Sequence, residues 1–241
     1  MLGLKDSTKQ KTLKSNNGLE ELLKAGTHFG YSRSFRHPAM KDFIFGAKNN
    51  IELINVEKTK EKLETAKDFL ASMGKENKKI LLVCTKNESK ELIRKFAEEI
   101  NMPYVNERWI GGILTNFKSI KERISQMVEL KRQKETGEIN KYKKKERVKI
   151  EKQISKLQGY FGGLEKIESL PSALIIIDSK KERNAVMEAN KKKIPVIAVM
   201  NTDCDPAEVD YPVPANDNSK SSTEYLLKEL ILGYKTGLCQ K

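Results

Sequence analysis

The chain is poor in the residues from which most active sites and covalent staples are built. Its three Cys, at positions 84, 204 and 239, are odd in number, widely spaced and form no CxxC. That pattern argues against a disulfide framework and a zinc knuckle. Cys84 lies in an apolar run and reads as a small hydrophobe, Cys239 belongs to a polar tail, and the lack of structural disulfides fits a reducing cytoplasm. No apolar run reaches 18 residues, so no membrane-spanning helix is expected. The opening MLGLKDSTKQKTLKSNN lacks the apolar core of a signal peptide, and a soluble, cytoplasmic protein is the expectation. Neither GxGxxG nor GxxxxGKS/T occurs, and the loop Thr85-Lys86-Asn87-Glu88-Ser89 offers no glycine with which backbone amides could wrap a diphosphate. There are only two His, His28 and His37. Neither has a Ser or Cys nucleophile beside it in a motif, so packing or phosphate contact is a better reading for both than general-base work.

Positive charge, by contrast, is abundant. The 46 Lys and Arg against 33 Asp and Glu leave +13 and a pI near 9.4. Such a chain seeks a polyanion, whether nucleic acid, an anionic membrane surface or a very acidic protein. The charge is uneven: residues 131 to 156 hold eleven Lys or Arg against four Glu, a net of +7, more than half the total. A solvated helical face mixes signs for pairing, so this excess points to contact with a nucleic acid.

Along the chain, residues 1–18 are polar and Lys-rich, a basic extension (Lys5, Lys9, Lys11, Lys14) expected to be disordered alone or to order on RNA. Leu19, Leu22 and Leu23 begin a short helix that Gly26 can end, delivering His28 and Phe29 into a loop with Arg33, Arg36, His37 and Lys41 around Tyr31 and Phe35. Residues 43–45 and 51–54 read as a small β-hairpin about a turn at 46–50 that includes Lys48. Asn55 can cap the helix of Leu63, Ala66, Leu70 and Met73, and Gly74 can close it. A bare apolar run at 80–84 and strand-like stretches at 173–178 and 195–200 alternate with helical periodicity, and Pro103-Tyr104-Val105 and 211–213 add two short strands. Ser221 with Glu224 reads as a capping box for the last helix. Strands alternating with helices imply a doubly wound, roughly five-stranded parallel α/β sheet. Between its halves, Phe117, Ile120, Ile124, Met127 and then Ile150, Ile154, Leu157, Phe161, Leu164 step by three and four. They predict an inserted antiparallel coiled-coil hairpin over 117–168, reversing near Thr136-Gly137, with Gly159 and Gly162-Gly163 weakening the returning helix near its root. The α/β body then comprises 19–116 and 169–235, and 236–241 is a tail.

The pivot of this arrangement is Glu107 to Phe117, ERWIGGILTNF. It holds the only Trp, Trp109, beside Arg108, then Gly111-Gly112 for a tight turn or close approach, then Thr115 and Asn116 as helix-capping candidates. Trp109 reads as a core residue in preference to a base-stacking platform. This stretch closely resembles the signature of the second protein of the small ribosomal subunit in its bacterial form. Ala25-Gly26-Thr27-His28-Phe29-Gly30 with Ile44-Phe45-Gly46 and Glu57-Lys58-Thr59, and Thr202 to Pro206 with Val213 to Asp217, agree with the same family in matching order over roughly 19–235. Two departures stand out. Tyr31-Ser32-Arg33 replaces the family's His-Gln-Thr, and Asp203 adds an acid to its Thr-Asn-Cys-Asp-Pro.

The resemblance implies a flavodoxin-like strand order and a structural, non-catalytic protein that binds small-subunit rRNA without a cofactor. It also implies help in docking the large multidomain small-subunit protein number one, with no membrane or small-molecule partner. On that reading the RNA contacts are Arg33, Arg36, His37, Lys41 and Lys48 in the first loops, Arg108, Asn116 and Lys118 at the pivot, and Lys141, Lys143, Lys144 and Lys145 on the arm, mostly to phosphates. Two rivals remain. An α/β enzyme on an anionic substrate would use the strand ends, where Asp178, Asp203 and Asp205 have magnesium-binding chemistry, although caps and Asx turns explain them better. A DNA-binding or membrane-surface adaptor would need a base-reading helix or a spare apolar face, and the arm's apolar seam is already taken by its partner helix.

Overall fold

A strand apolar on both faces must be covered on both, and three runs meet that description in full. β4 (Ile80–Val83), β6 (Ala173–Ile177) and β7 (Val196–Met200) are buried at every position. In the computed structural model, which describes residues 18–141 and 143–240, they form the middle of a five-stranded parallel sheet. β5 (Tyr104–Val105) and β8 (Tyr211–Pro214) are its edges, in the order β5-β4-β6-β7-β8. Counted by their own sequence, the strands run 2-1-3-4-5, the doubly wound, flavodoxin-like order. The basic N-terminal extension expected from the sequence lies outside the described residues. The chain makes two compact units, Met1–Lys78 with Ile176–Lys181 and Ile197–Lys241, and Lys79–Ile175 with Glu182–Val196.

In the first unit, α1 (18–24) ends as the sequence suggests. Gly26 sits at φ +73°, Thr27 N–H donates to Leu22 O at 3.2 Å and Gly26 N–H to Leu23 O at 3.0 Å, the paired bonds of a Schellman end. The expected hairpin is larger than predicted. β1 (Phe29–Ser32) joins β2 (Ile44–Lys48) and β3 (Ile51–Ile54) in an antiparallel sheet of order β1-β3-β2. Residues 29–32, expected in a loop, are held as a strand by pairing across to β3, a long-range effect with no local signal. The turn is only Asn49-Asn50, both left-handed at φ 51° and 63°, the geometry a two-residue hairpin loop requires.

α2 (Val56–Lys75) starts on Asn55, whose side chain accepts from Glu57 N–H at 3.0 Å and Lys58 N–H at 3.4 Å. Gly74 does not end α2, contrary to the sequence reading. It is the contact point with α7 (Lys220–Leu238), where a Cβ would fall 2.2 Å from Tyr234 O, and Gly237 answers it at 2.1 Å from Ala71 O. The helix ends instead with Asn77 in the left-handed region at φ 52°. The capping box at Ser221 and Glu224 is also not formed. The N-cap of α7 is Ser219, two residues earlier, because Asn216 Oδ1 collects the N–H groups of Asn218 and Ser219 while Ser221 Oγ donates to Ala25 O at 3.0 Å.

In the second unit, α3 (Lys90–Glu99) buries Leu92, Ile93, Phe96 and Ala97. α4 (Phe117–Glu135) and α5 (Lys144–Phe161) form the expected hairpin, with Ile120, Ile124 and Met127 buried on one helix and Ile154, Leu157 and Phe161 on the other. Gly137, at φ +75°, makes the reversal. The Gly162-Gly163 pair ends α5 in a 3-10 turn rather than kinking it. Gly163 is required because a Cβ there would lie 2.2 Å from Tyr104 O. α6 (Arg183–Lys192) completes the unit.

Candidate nucleic-acid interface

The pivot loop is built on one carboxylate that its own sequence does not contain. Glu188 of α6 is 9% exposed, and its Oε1 accepts from the Trp109 indole at 3.0 Å and Gly112 N–H at 2.8 Å. Its Oε2 accepts from Leu114 N–H at 3.0 Å, Thr115 N–H at 3.1 Å and the Thr115 hydroxyl at 3.0 Å. Burial alone would raise this carboxyl, but the bonds from Gly112, Trp109, Thr115 and Leu114 outweigh it and leave the pKa below its ordinary value. The glycine is essential: Gly112 sits at φ +98° and turns its N–H inward. Trp109 is accordingly a core residue, 8% exposed. Thr115 is spent on Glu188, and Asn116, although at the N-cap position of α4, makes no side-chain cap, so neither residue caps the helix as expected. Arg108, Asn116 and Lys118 stand exposed around this clamp.

The first basic loop has a second buried acid at its root. Arg36 Nη1 donates to Glu52 Oε1 at 3.1 Å, and the Glu52 side chain is 1% exposed against 28% for Arg36. His37 N–H donates to Thr202 O at 2.8 Å, its Nδ1 accepts from Ala39 N–H, and its Nε2 lies 3.9 Å from Asp205. Arg36 and His37 thus fasten the loop, while Arg33, Phe35, Lys41 and Lys48 face solvent. His28 packs on Phe29, ring centroids 4.0 Å apart. Burial lowers its pKa below the ordinary imidazole value. An apolar groove of about 400 Å³ opens here, lined by Leu19, Leu23, His28, Phe45, Leu53 and Val56, with Phe45 79% exposed.

On the arm, Lys141 closes the 3-10 turn Glu138–Lys141, Lys143 is the N-cap of α5, and Lys144 and Lys145 form its first turn. All four are exposed. Three like charges beside the positive end of a helix dipole are mutually unfavourable, and only Glu146, accepting from Lys143 N–H at 3.2 Å, opposes them.

The strand ends are filled by the protein itself. In the second unit Glu182, 3% exposed, accepts from Thr85 N–H at 2.8 Å and the Thr85 hydroxyl at 2.6 Å, over buried Lys86 and Ser89. In the first unit Asp178 accepts from Lys181 N–H at 2.9 Å, capping the turn after β6 rather than α6 itself. Asp205 accepts from Ala207 N–H at 2.9 Å, and Asp203 pairs with Lys180 at 2.9 Å. The three Asp therefore have the cap, Asx-turn and ion-pair partners that the alternative to a magnesium site requires. Cys204 is buried, which pushes its thiol up to about 12, and it is inert as a nucleophile.

The profile described as ribosomal protein S2 matches residues 22–237. The chain belongs to the ribosomal protein S2 family. It is 42% identical over 212 residues to the small ribosomal subunit protein uS2 of Coprothermobacter proteolyticus, covering 88% of this chain and 79% of that protein. It is 40% identical over 212 residues to the protein of the same name from Karelsulcia muelleri, covering 88% and 96%. Membership of the ribosomal protein S2 family makes the chain a structural ribosomal protein rather than an enzyme. The sequence reading of this S2-family chain missed Glu188 and Glu52. Glu188 had a signal: it lies three residues after Ala185 and one before Ala189, on the buried stripe of α6. Glu52 alternates in phase with Ile54, the other buried residue of β3.

Proposed function

We propose that the chain is a constituent of the small ribosomal subunit that grips its rRNA through phosphates and shape and gives a neighbouring ribosomal protein a seat. The observation that carries this is the Glu188 clamp, which fixes the family's signature loop so that Arg108, Asn116 and Lys118 project from a rigid base. Arg33, Lys41, Lys48, Lys141, Lys143, Lys144 and Lys145 add exposed contacts. Arg36 and His37 join from half-buried positions with one edge already committed. Phosphate contacts position such a protein without reading sequence. The apolar groove beside Phe45 suits a partner's hydrophobic segment, and the large multidomain protein number one is the partner assigned to it.

The test is sedimentation of cell lysate with the protein followed by antibody. Parent protein should travel with small subunits, and R33E/R108E, which alters two exposed side chains, should fall to a tenth or less of parental occupancy. Full occupancy of the double variant would remove the loops from the interface.

A further inference from the structure

The two helices of the arm hold their bases differently: α4 ties down Lys121, Lys131 and Arg132 and leaves Lys118, Arg123 and Lys134 exposed without an ion pair among the described residues, whereas the bases of α5 form a stripe. On α4, Lys131 pairs with Glu165, Arg132 is held between Glu129 at 2.9 Å and Glu138 at 3.2 Å, and Lys121 donates to Glu168 O at 3.0 Å. On α5, Lys145, Lys149, Lys152 and Lys156 are exposed, and none has an ion-pair partner among the described residues. Their spacing of four, three and four keeps all four within an arc of roughly 60° on the helix. The same wheel puts the seam of half-buried Ile150 and buried Ile154, Leu157 and Phe161 roughly 140° from the middle of the stripe, and Glu146 and Glu151 at least about 90° from it. The stripe is therefore an unbroken line of cations, about 16 Å long at 1.5 Å per residue, on the side of α5 turned away from α4.

We propose that this outer face of α5 is the arm's principal binding surface and that it takes the phosphate ridge of a double-helical RNA segment. The proposal rests on the rRNA-binding reading above and moves the weight of the arm's contact from its tip to its flank. Four lysines spread over about 16 Å offer about four contacts to a phosphate backbone that passes along them. Lysine is a mobile point charge that tolerates imperfect phosphate register, whereas base reading calls for planar bidentate groups. The stripe carries no aromatic within its length, so it lacks the platforms that unpaired bases use. A-form duplexes, whose deep major groove hides the bases, are recognised in this way by backbone and shape.

The experiment uses the full chain and a 20-base-pair RNA duplex of arbitrary sequence, with affinity followed by fluorescence anisotropy against KCl concentration. The stripe variant K145Q/K149Q/K152Q/K156Q is compared with K121Q/R123Q/K131Q/K134Q, which removes the same charge from α4. The stripe variant should flatten the slope of log K against log salt by about 3, near 0.7–0.9 for each lost contact, and the α4 variant by less than 1. Equal losses in the two variants would mean that net charge alone binds, and overturn the proposal. So would parental affinity in the stripe variant, absence of duplex binding by the parent, or preference of the stripe for poly-glutamate over RNA, the mark of an acidic protein partner. Failure of these arms with intact subunit co-sedimentation removes the stripe alone, whereas loss of parental co-sedimentation removes the ribosomal reading.

Discussion

Replacing Glu188 by Gln is the sharpest test of how the pivot is held. The substitution keeps the side chain's volume and leaves Oε1 to accept from the Trp109 indole and Gly112 N–H. Its amide nitrogen, however, then faces Leu114 N–H and Thr115 N–H, which now donate to Oε2. Donors oppose donors, and two backbone N–H groups lose an acceptor. At about 1–3 kcal/mol for each buried polar group left unsatisfied, and with Thr115 only partly enclosed, the variant should be about 2–4 kcal/mol less stable at pH 7. The parent carboxyl is held below its ordinary pKa, so its contribution is complete above the unfolded value of about 4.3 and is lost as pH falls through the folded one. Gln does not titrate. The gap between parent and variant should therefore be full at pH 7 and narrow progressively as pH falls below the unfolded value of about 4.3. Urea unfolding reads this directly, because the only Trp of the chain is bonded to the side chain in question, and its fluorescence reports the clamp. Equal stability at pH 7, or a gap of the same size at pH 3, would refute the assignment of Glu188 as the loop's anchor.

Removing Arg36 strands Glu52 in a buried site. Arg36→Ala should cost about 2–3 kcal/mol, less than for a fully buried pair because Arg36 is 28% exposed, and adding Glu52→Gln should return part of it. A double-mutant cycle by urea denaturation that showed simple additivity would contradict the pairing. Gly74→Ala forces a Cβ to 2.2 Å from Tyr234 O and should destabilise by about 1–3 kcal/mol or more. Gly159→Ala, with nothing within 4 Å, should instead stabilise α5 by up to about 1 kcal/mol. Calorimetry should show the melting temperature moving in opposite directions, and a shift of the same sign in both would refute the packing argument.

The parts of the fold legible in the sequence were those whose signal is local. The bare runs of β4, β6 and β7 announce buried strands, the spacing from Ile120 to Met127 and from Ile154 to Phe161 announces the seam, and Asn55 and Gly26 mark helix ends through their own side chain or its lack. What escaped was set by partners distant in sequence. β1 is a strand because β3 is there to pair with it. Ser219 is the N-cap of α7 because Asn216 and Ala25 draw the neighbouring groups into other bonds. The site followed the same division. The exposed bases around Arg33, Arg108 and Lys141 are legible as charge, but Arg36 reads the same as Arg33 until Glu52 is placed beneath it. Nothing near residues 108–116 names the acid that holds them, 72 residues or more downstream.

These hidden acids explain how a chain of +13 can present its bases in fixed positions at all. Arg33, Arg36 and Lys41 crowd one loop and repel one another, and a loop left to itself would spread and lose its geometry. Glu52 beneath the first loop and Glu188 beneath the pivot each supply a negative charge that solvent cannot screen and that an RNA cannot displace, since both are within a tenth of full burial. The ordering of several backbone residues, about 1–2 kcal/mol each, is then met during folding and is not charged again on binding. Placing the negative charge inside does something a surface acid could not. It fixes the loop from a position that an incoming phosphate does not meet, because both Glu188 oxygens and Glu52 Oε1 are engaged by the protein's own donors.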